Sequence, residues 1–134
     1  MQGQQPQNGI LPVQHLQKAI HDGAILADQQ ITVAQLQPAS LDLRLGIDAW
    51  RVQASFLPGS KMTVADKLAK FTMHKLDLTD GAVLERGCVY IVKLQESLAL
   101  PSSVSATANP KSSTGRLDIF TRLICDHATE FESV

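Results

Sequence analysis

A mainly β domain with a few short helices is the fold class this sequence predicts. Three observations carry the prediction: runs of alternating apolar and polar residues, glycine-bearing turn signals at modest spacing between them, and few stretches with helical spacing. Short strands broken by such turns imply a barrel or a sandwich. The chain has 134 residues, 44% hydrophobic and 19% charged, enough to bury one core and hardly a second, so a single domain over residues 10–134 is expected.

The first nine residues, rich in Gln with Pro and Gly, read as a flexible tail. In LPVQHLQKAIHDG, Pro12 suits a first helical position, Val13, Leu16 and Ile20 recur at three- and four-residue spacing, and Gly23 can close the helix. His15 and His21, six residues apart, fall on different faces and are read as solvated rather than as metal ligands. ASLDLRLGIDAWRVQ follows, with Leu41, Leu43 and Leu45 alternating with Asp42 and Arg44 as in a strand with one buried face, and Gly46 marking a turn or bulge. Trp50 is assigned to the core. TVADKLAKF places Val64, Leu68 and Phe71 at helical spacing and predicts a second short helix, with a structured loop as the alternative. From Met73 the pattern turns β: MHKLDL, a turn at Asp80 and Gly81, AVLE, Gly87, CVYIVKL, SLALP and SVSATA.

Composition and motifs remove several function classes. A net charge of −1 provides no broad basic surface for a nucleic acid polymer, so any anion binding must be local. No apolar run approaches the roughly 18 residues of a membrane span, and MQGQQPQNG lacks the apolar core of a signal peptide. A cytoplasmic, soluble protein is therefore expected. GxxxxGK[ST], GxGxxG after a strand, GxSxG and HExxH are all absent. The zinc-dependent deaminase signature H-x-E with P-C-x-x-C is absent too, and Cys88 and Cys125 read as two free thiols without metal-ligand spacing. Any deamination by this chain would be zinc-free, with no protein-bound metal.

NPKSSTGRLD, residues 109–118, is the leading candidate for local anion binding. Lys111 and Arg116 flank two hydroxyls, Ser112 and Ser113, with Gly115 inside the stretch. A turn of this kind can aim successive backbone N–H groups into a small concavity rimmed by hydroxyls and cations, which suits phosphate. A solvated Ser-Gly turn joining two strands is the competing reading of the same composition.

Two separated segments resemble the deoxycytidine triphosphate (dCTP) deaminases and the related deoxyuridine triphosphatases (dUTPases). QPASLDLRLG, residues 37–46, is similar to that family's early strand motif. LERGCVYIVKLQESLALP through NPKSSTGRLDIFTRLICD is similar to its succession of strands and phosphate loop, in the same order. The resemblance runs from about Ile10 to Val134 and is nearest to the long bacterial deaminase branch. It implies a distorted β-barrel of the dUTPase-like (β-clip) type, a homotrimer with nucleotide sites between subunits, and a deoxynucleoside triphosphate bound with Mg2+.

By the same resemblance, Lys111, Ser112, Ser113 and Arg116 fall on the phosphate-loop motif. Lys111 and Ser113 would contact phosphates, Ser112 would lie near the reacting water or the base, and Arg116 would order the catalytic centre. Lys111 stands where the family usually has arginine, which exchanges a bidentate fork for a point charge. Asp42 matches the acidic position of the first motif and Asp126 lies near the family's sugar-contacting aspartate; for both, a structural hydrogen-bond role remains open. The implied reaction is zinc-free hydrolytic deamination of dCTP to dUTP and ammonia, supplying thymidylate synthesis. The alternatives are a dUTPase or bifunctional enzyme, in which the family motif usually has glycine where Ser113 stands, and a non-catalytic nucleotide-binding or assembly barrel. Deamination needs a general base to activate water at C4 of cytosine. The family's glutamate for that step lies on a later strand, and Glu130 and Glu132 do not sit in its motif, so the chain is expected to be the N-terminal part of a longer deaminase.

Overall fold

The computed structural model describes residues 8–131. The tail expected over residues 1–9 thus lies, apart from Asn8 and Gly9, outside the described residues. The described chain forms two compact units: one is the chain up to Leu45 with Leu94–Pro101, the other Gly46–Lys93 with the chain from Ser102 onward.

The first unit opens with helix α1 (Val13–His21), whose Val13, Leu16 and Ile20 form its half-buried stripe while His15 and His21 stay exposed. Pro12 sits one residue earlier than expected, at the N-cap in extended conformation, and the Val13 N–H donates to Pro38 O at 2.8 Å. Gly23 ends the helix at φ +76°, a left-handed geometry that glycine adopts without a Cβ penalty. Strand β1 (Ile25–Ala27) pairs antiparallel with a later strand, Glu96–Leu98, in the register Ile25 to Leu98 and Ala27 to Glu96. Between them in sequence, a 3-10 turn (Val33–Gln35) leads into a tight hairpin of β2 (Leu36–Gln37) and β3 (Ser40–Leu41).

The second unit is built on β4 (Leu45–Val52), the central strand between β5 (Thr72–Asp77) and β6 (Val89–Leu94). The Glu96–Leu98 strand is then β7. Asp48 faces Asp77, Trp50 faces Lys75, and an irregularity between Arg51 and Val52 shifts the register. Ala49 and Val52 are buried in this sheet. Helix α2 (Val64–Phe71) confirms the periodicity of TVADKLAKF and starts with a capping box: the Asp66 N–H donates to Thr63 Oγ1 at 3.1 Å and the Thr63 N–H to Asp66 Oδ2 at 2.9 Å. Phe71 stacks on Phe56 at 5.8 Å between ring centroids.

Several local expectations are overturned. Leu43 and Leu45 are exposed rather than buried, while Asp42 and Arg44 between and beside them are half-buried. Gly46 lies inside β4, not in a turn. AVLE forms no strand and SVSATA only an isolated bridge. Trp50 is half-buried rather than core: with Ala65, Leu68, Ala69, Thr72 and Lys75 it lines an open cleft of about 390 Å³. The Lys75 ammonium lies 5.5 Å from the indole centroid and 2.6 Å from Asp48 Oδ1. Cys88 and Cys125 are not joined in a disulfide. The class is mainly β with short helices, one near the N-terminus, and among the described residues the sheets are of two, two and three strands, none closed on itself.

Candidate functional site

The candidate anion loop is a single helical turn in the second unit, α3 (Ser112–Gly115), entered from Lys111 in extended conformation. Pro110 before it favours an extended approach. The Thr114 N–H donates to Lys111 O at 3.0 Å, the Gly115 N–H to the same oxygen at 3.2 Å and the Arg116 N–H to Ser112 O at 3.0 Å. The N–H groups of Ser112 and Ser113, which lead the turn, have no acceptor available within it. Asp118 closes the loop at φ +60°, its N–H donating to Gly115 O at 3.0 Å. A Cβ on Gly115 would meet nothing within 4 Å, so that glycine is not required by crowding.

The turn brings together the four residues predicted for phosphate. Ser112 and Arg116 stand four apart on one helical face, Lys111 precedes that face, and Ser113 lies next to it. All four are exposed, with Thr114 half-buried beneath them. Lys111 and Arg116 bring two cations and Ser112 and Ser113 two hydroxyls to one exposed surface, groups that can take an anion. The apolar residues that follow are also outward: Leu117 is 73% exposed and Phe120 90%.

The two aspartates are used differently. Asp126, in the same unit as the loop, accepts the Val64 N–H on Oδ1 at 2.8 Å, at the first turn of α2. Asp42 belongs to the first unit, where its N–H donates to Gln35 O at 2.8 Å, its carbonyl accepts Gln35 Nε2 at 3.0 Å and Oδ2 accepts Gln37 Nε2 at 3.5 Å. Glu130 is exposed, and Glu132 lies outside the described residues. Among the described residues no group of three or more His, Cys, Asp or Glu is placed to hold a metal ion, and no helix is long and apolar enough to cross a membrane.

Sequence reasoning missed a buried polar cluster in the first unit. Glu96, its side chain only 1% exposed, accepts Arg44 N and Arg44 Nε and Gln35 Nε2, each at 2.8 Å. Arg44 also donates to Gln29 O at 2.8 Å and Gln30 O at 3.3 Å. Burial alone would raise the Glu96 pKa, but the Arg44 N–H, the Arg44 guanidinium and the Gln35 amide outweigh it and hold the carboxyl below its ordinary range. The available signal was Glu96 as the one acidic residue in KLQESLALP.

Comparison with known proteins bears on both units. Residues 7–134 match the 2'-deoxycytidine 5'-triphosphate deaminase (DCD) N-terminal domain. The fold is similar to a crystal structure of 2'-deoxycytidine 5'-triphosphate deaminase from Agrobacterium tumefaciens, with 56% sequence identity and a TM-score of 0.91 over 94% of this chain. That likeness fits the dUTPase-like barrel expectation. This chain spans 36% of the length of that protein, and no curated protein matches it. With the family pattern covering nearly the whole sequence, the chain belongs to the family of dCTP deaminase N-terminal domains.

Proposed function

We propose that this chain takes part in zinc-free hydrolytic deamination of dCTP to dUTP and ammonia, with the turn at Lys111–Arg116 holding the triphosphate. The observation that supports the reading most is the family match combined with the exposed grouping of two cations and two hydroxyls on one turn. Lys111 and Ser113 contact phosphates, Ser112 lies near the reacting water or the base, and Arg116 orders the centre. Each donates hydrogen bonds to anionic oxygen, Lys111 as a point charge and Arg116 as a planar fork.

Mg2+ would arrive coordinated by the triphosphate oxygens, where it would neutralise charge. The turn supplies cations and hydroxyls rather than a carboxylate cluster, so it fits the phosphate side of such a complex and does not itself form a metal cage. The general base that activates water at C4 is a carboxylate from a segment beyond those matched here, in keeping with the 36% share of the related protein that this chain spans. The proposal also includes a cytoplasmic homotrimer with sites between subunits, which sedimentation tests; a monomer would count against shared sites.

The experiment is incubation of the purified chain with dCTP and Mg2+, resolving dCTP, dUTP and dUMP by ion-exchange chromatography. Appearance of dUTP establishes deamination by this chain alone and shows that its base lies within it. Appearance of dUMP supports the bifunctional alternative. If neither forms, binding of dCTP without turnover supports a domain that needs the further segment, and the absence of binding contradicts the reading.

A further inference from the structure

The stem that leaves the candidate loop is seated on helix α2. After Asp118 the chain runs without regular structure to Cys125, and two hydrogen bonds then tie it to the region around that helix: Val64 N–H to Asp126 Oδ1 at 2.8 Å and Gly59 N–H to Ala128 O at 2.8 Å. The first has a specific cause. An α-helix leaves its first N–H groups without intrahelical acceptors. The capping box satisfies the Asp66 N–H through Thr63 Oγ1, while the Val64 N–H takes its acceptor from Asp126, 62 residues away in sequence. The turn Cys125–Ala128 is itself closed by the Ala128 N–H donating to Cys125 O at 3.3 Å, with His127 left-handed at φ +59°. Tied through Asp126 and Ala128, the far end of the stem has little freedom to slide.

We propose that Asp126 is a positioning residue: by accepting the Val64 N–H it fixes the stem of the Lys111–Arg116 turn on α2 and so holds that turn in its anion-binding shape. The inference rests on the reading that the turn binds phosphate. It assigns Asp126 an internal acceptor role instead of a sugar contact, and gives the α2 insertion a part in nucleotide binding.

Substituting the donor rather than the aspartate separates the two roles. V64P removes the N–H, yet proline is favoured at the first helical position, and Thr63, at φ −93° and ψ 164°, already has the conformation that a residue before proline adopts. Affinity for dCTP with Mg2+ is measured on the full chain by calorimetry for wild type, V64P, D126A and D126N. Circular dichroism establishes that each variant is folded. Loss of one hydrogen bond to a charged acceptor weakens binding by about tenfold in both D126A and V64P, and D126N, which keeps an acceptor oxygen, recovers most of the loss. Wild-type affinity in V64P beside a weakened D126A would mean that Asp126 touches the ligand, overturning the proposal, as would wild-type affinity in D126A. Amide hydrogen exchange provides the arm that does not depend on nucleotide: Thr114 and Arg116 N–H exchange faster in V64P and D126A than in wild type. Unchanged exchange would contradict the positioning role even if no nucleotide bound, whereas faster exchange without any wild-type binding would uphold it and count against the phosphate reading instead.

Discussion

The Arg44–Glu96–Gln35 cluster and the Lys111–Arg116 turn both gather charge and hydrogen-bonding side chains, and they do so in opposite ways. In the cluster a buried carboxylate receives three bonds at 2.8 Å, and the guanidinium has further carbonyl acceptors. In the turn, cations and hydroxyls stand exposed around two N–H groups that the helix cannot satisfy. Charge satisfied within the fold contributes to holding that fold; charge displayed to solvent remains available to a ligand. The lesson is that the number of charged residues in a segment says less than whether the fold buries them or leaves them exposed.

That contrast can be broken from either side. The largest effect on stability is expected for E96A, which leaves the Arg44 guanidinium without its ion pair and costs about 3 kcal/mol or more in denaturant unfolding. A loss below about 1 kcal/mol, as for an exposed pair, would contradict the assignment. R116A should behave in the reverse sense: unfolding within about 0.5 kcal/mol of wild type, as for an exposed site, but dCTP affinity lower by about tenfold to a hundredfold by calorimetry. In the complete enzyme it should abolish turnover. Normal activity there would remove Arg116 from the site.

A smaller effect is set by pH. The Glu96 carboxyl has a folded-state pKa below its ordinary value of 4.5, so the unfolded chain takes up the proton more readily. The stabilisation it gives is therefore complete above pH 4.5 and is lost as the pH falls through the folded-state value. Thermal unfolding from pH 6 to pH 3 should show this decline, and E96Q should flatten part of it; an identical slope in E96Q would place the acid sensitivity elsewhere. The smallest effect is expected for K111R, which exchanges a point charge for a bidentate fork and should tighten dCTP binding by a few-fold. Weaker binding would show that the loop is shaped around lysine.

Much of the architecture was legible because it depends on local pattern. Val13, Leu16 and Ile20 announce α1, Val64, Leu68 and Phe71 announce α2, and the strands at Thr72–Asp77 and Val89–Leu94 follow their β-branched and alternating residues. Lys111, Ser112, Ser113 and Arg116 could be read together as a candidate group because they fall within six consecutive positions. What failed was a question of facing. Neighbouring side chains in extended backbone point to opposite sides, so once Arg44 reaches Glu96, Leu43 and Leu45 must turn away from it, inverting the expected buried face. Nothing local to SLDLRLG announces a partner 52 residues away. The role of Asp126 was hidden for the same reason, since its donor is the start of a helix 62 residues earlier.

The central claim is that the exposed turn, and not the buried cluster, receives the phosphates of a deoxynucleotide. Its most direct test is a titration of the 15N-labelled chain with dCTP and Mg2+, followed through backbone amide shifts. Saturable shifts centred on Ser112, Ser113 and Arg116 are expected, with Gln35, Arg44 and Glu96 unmoved and the response lost in R116A. Saturable binding that leaves the Ser112 and Ser113 amides unshifted, or that persists in R116A, would contradict it.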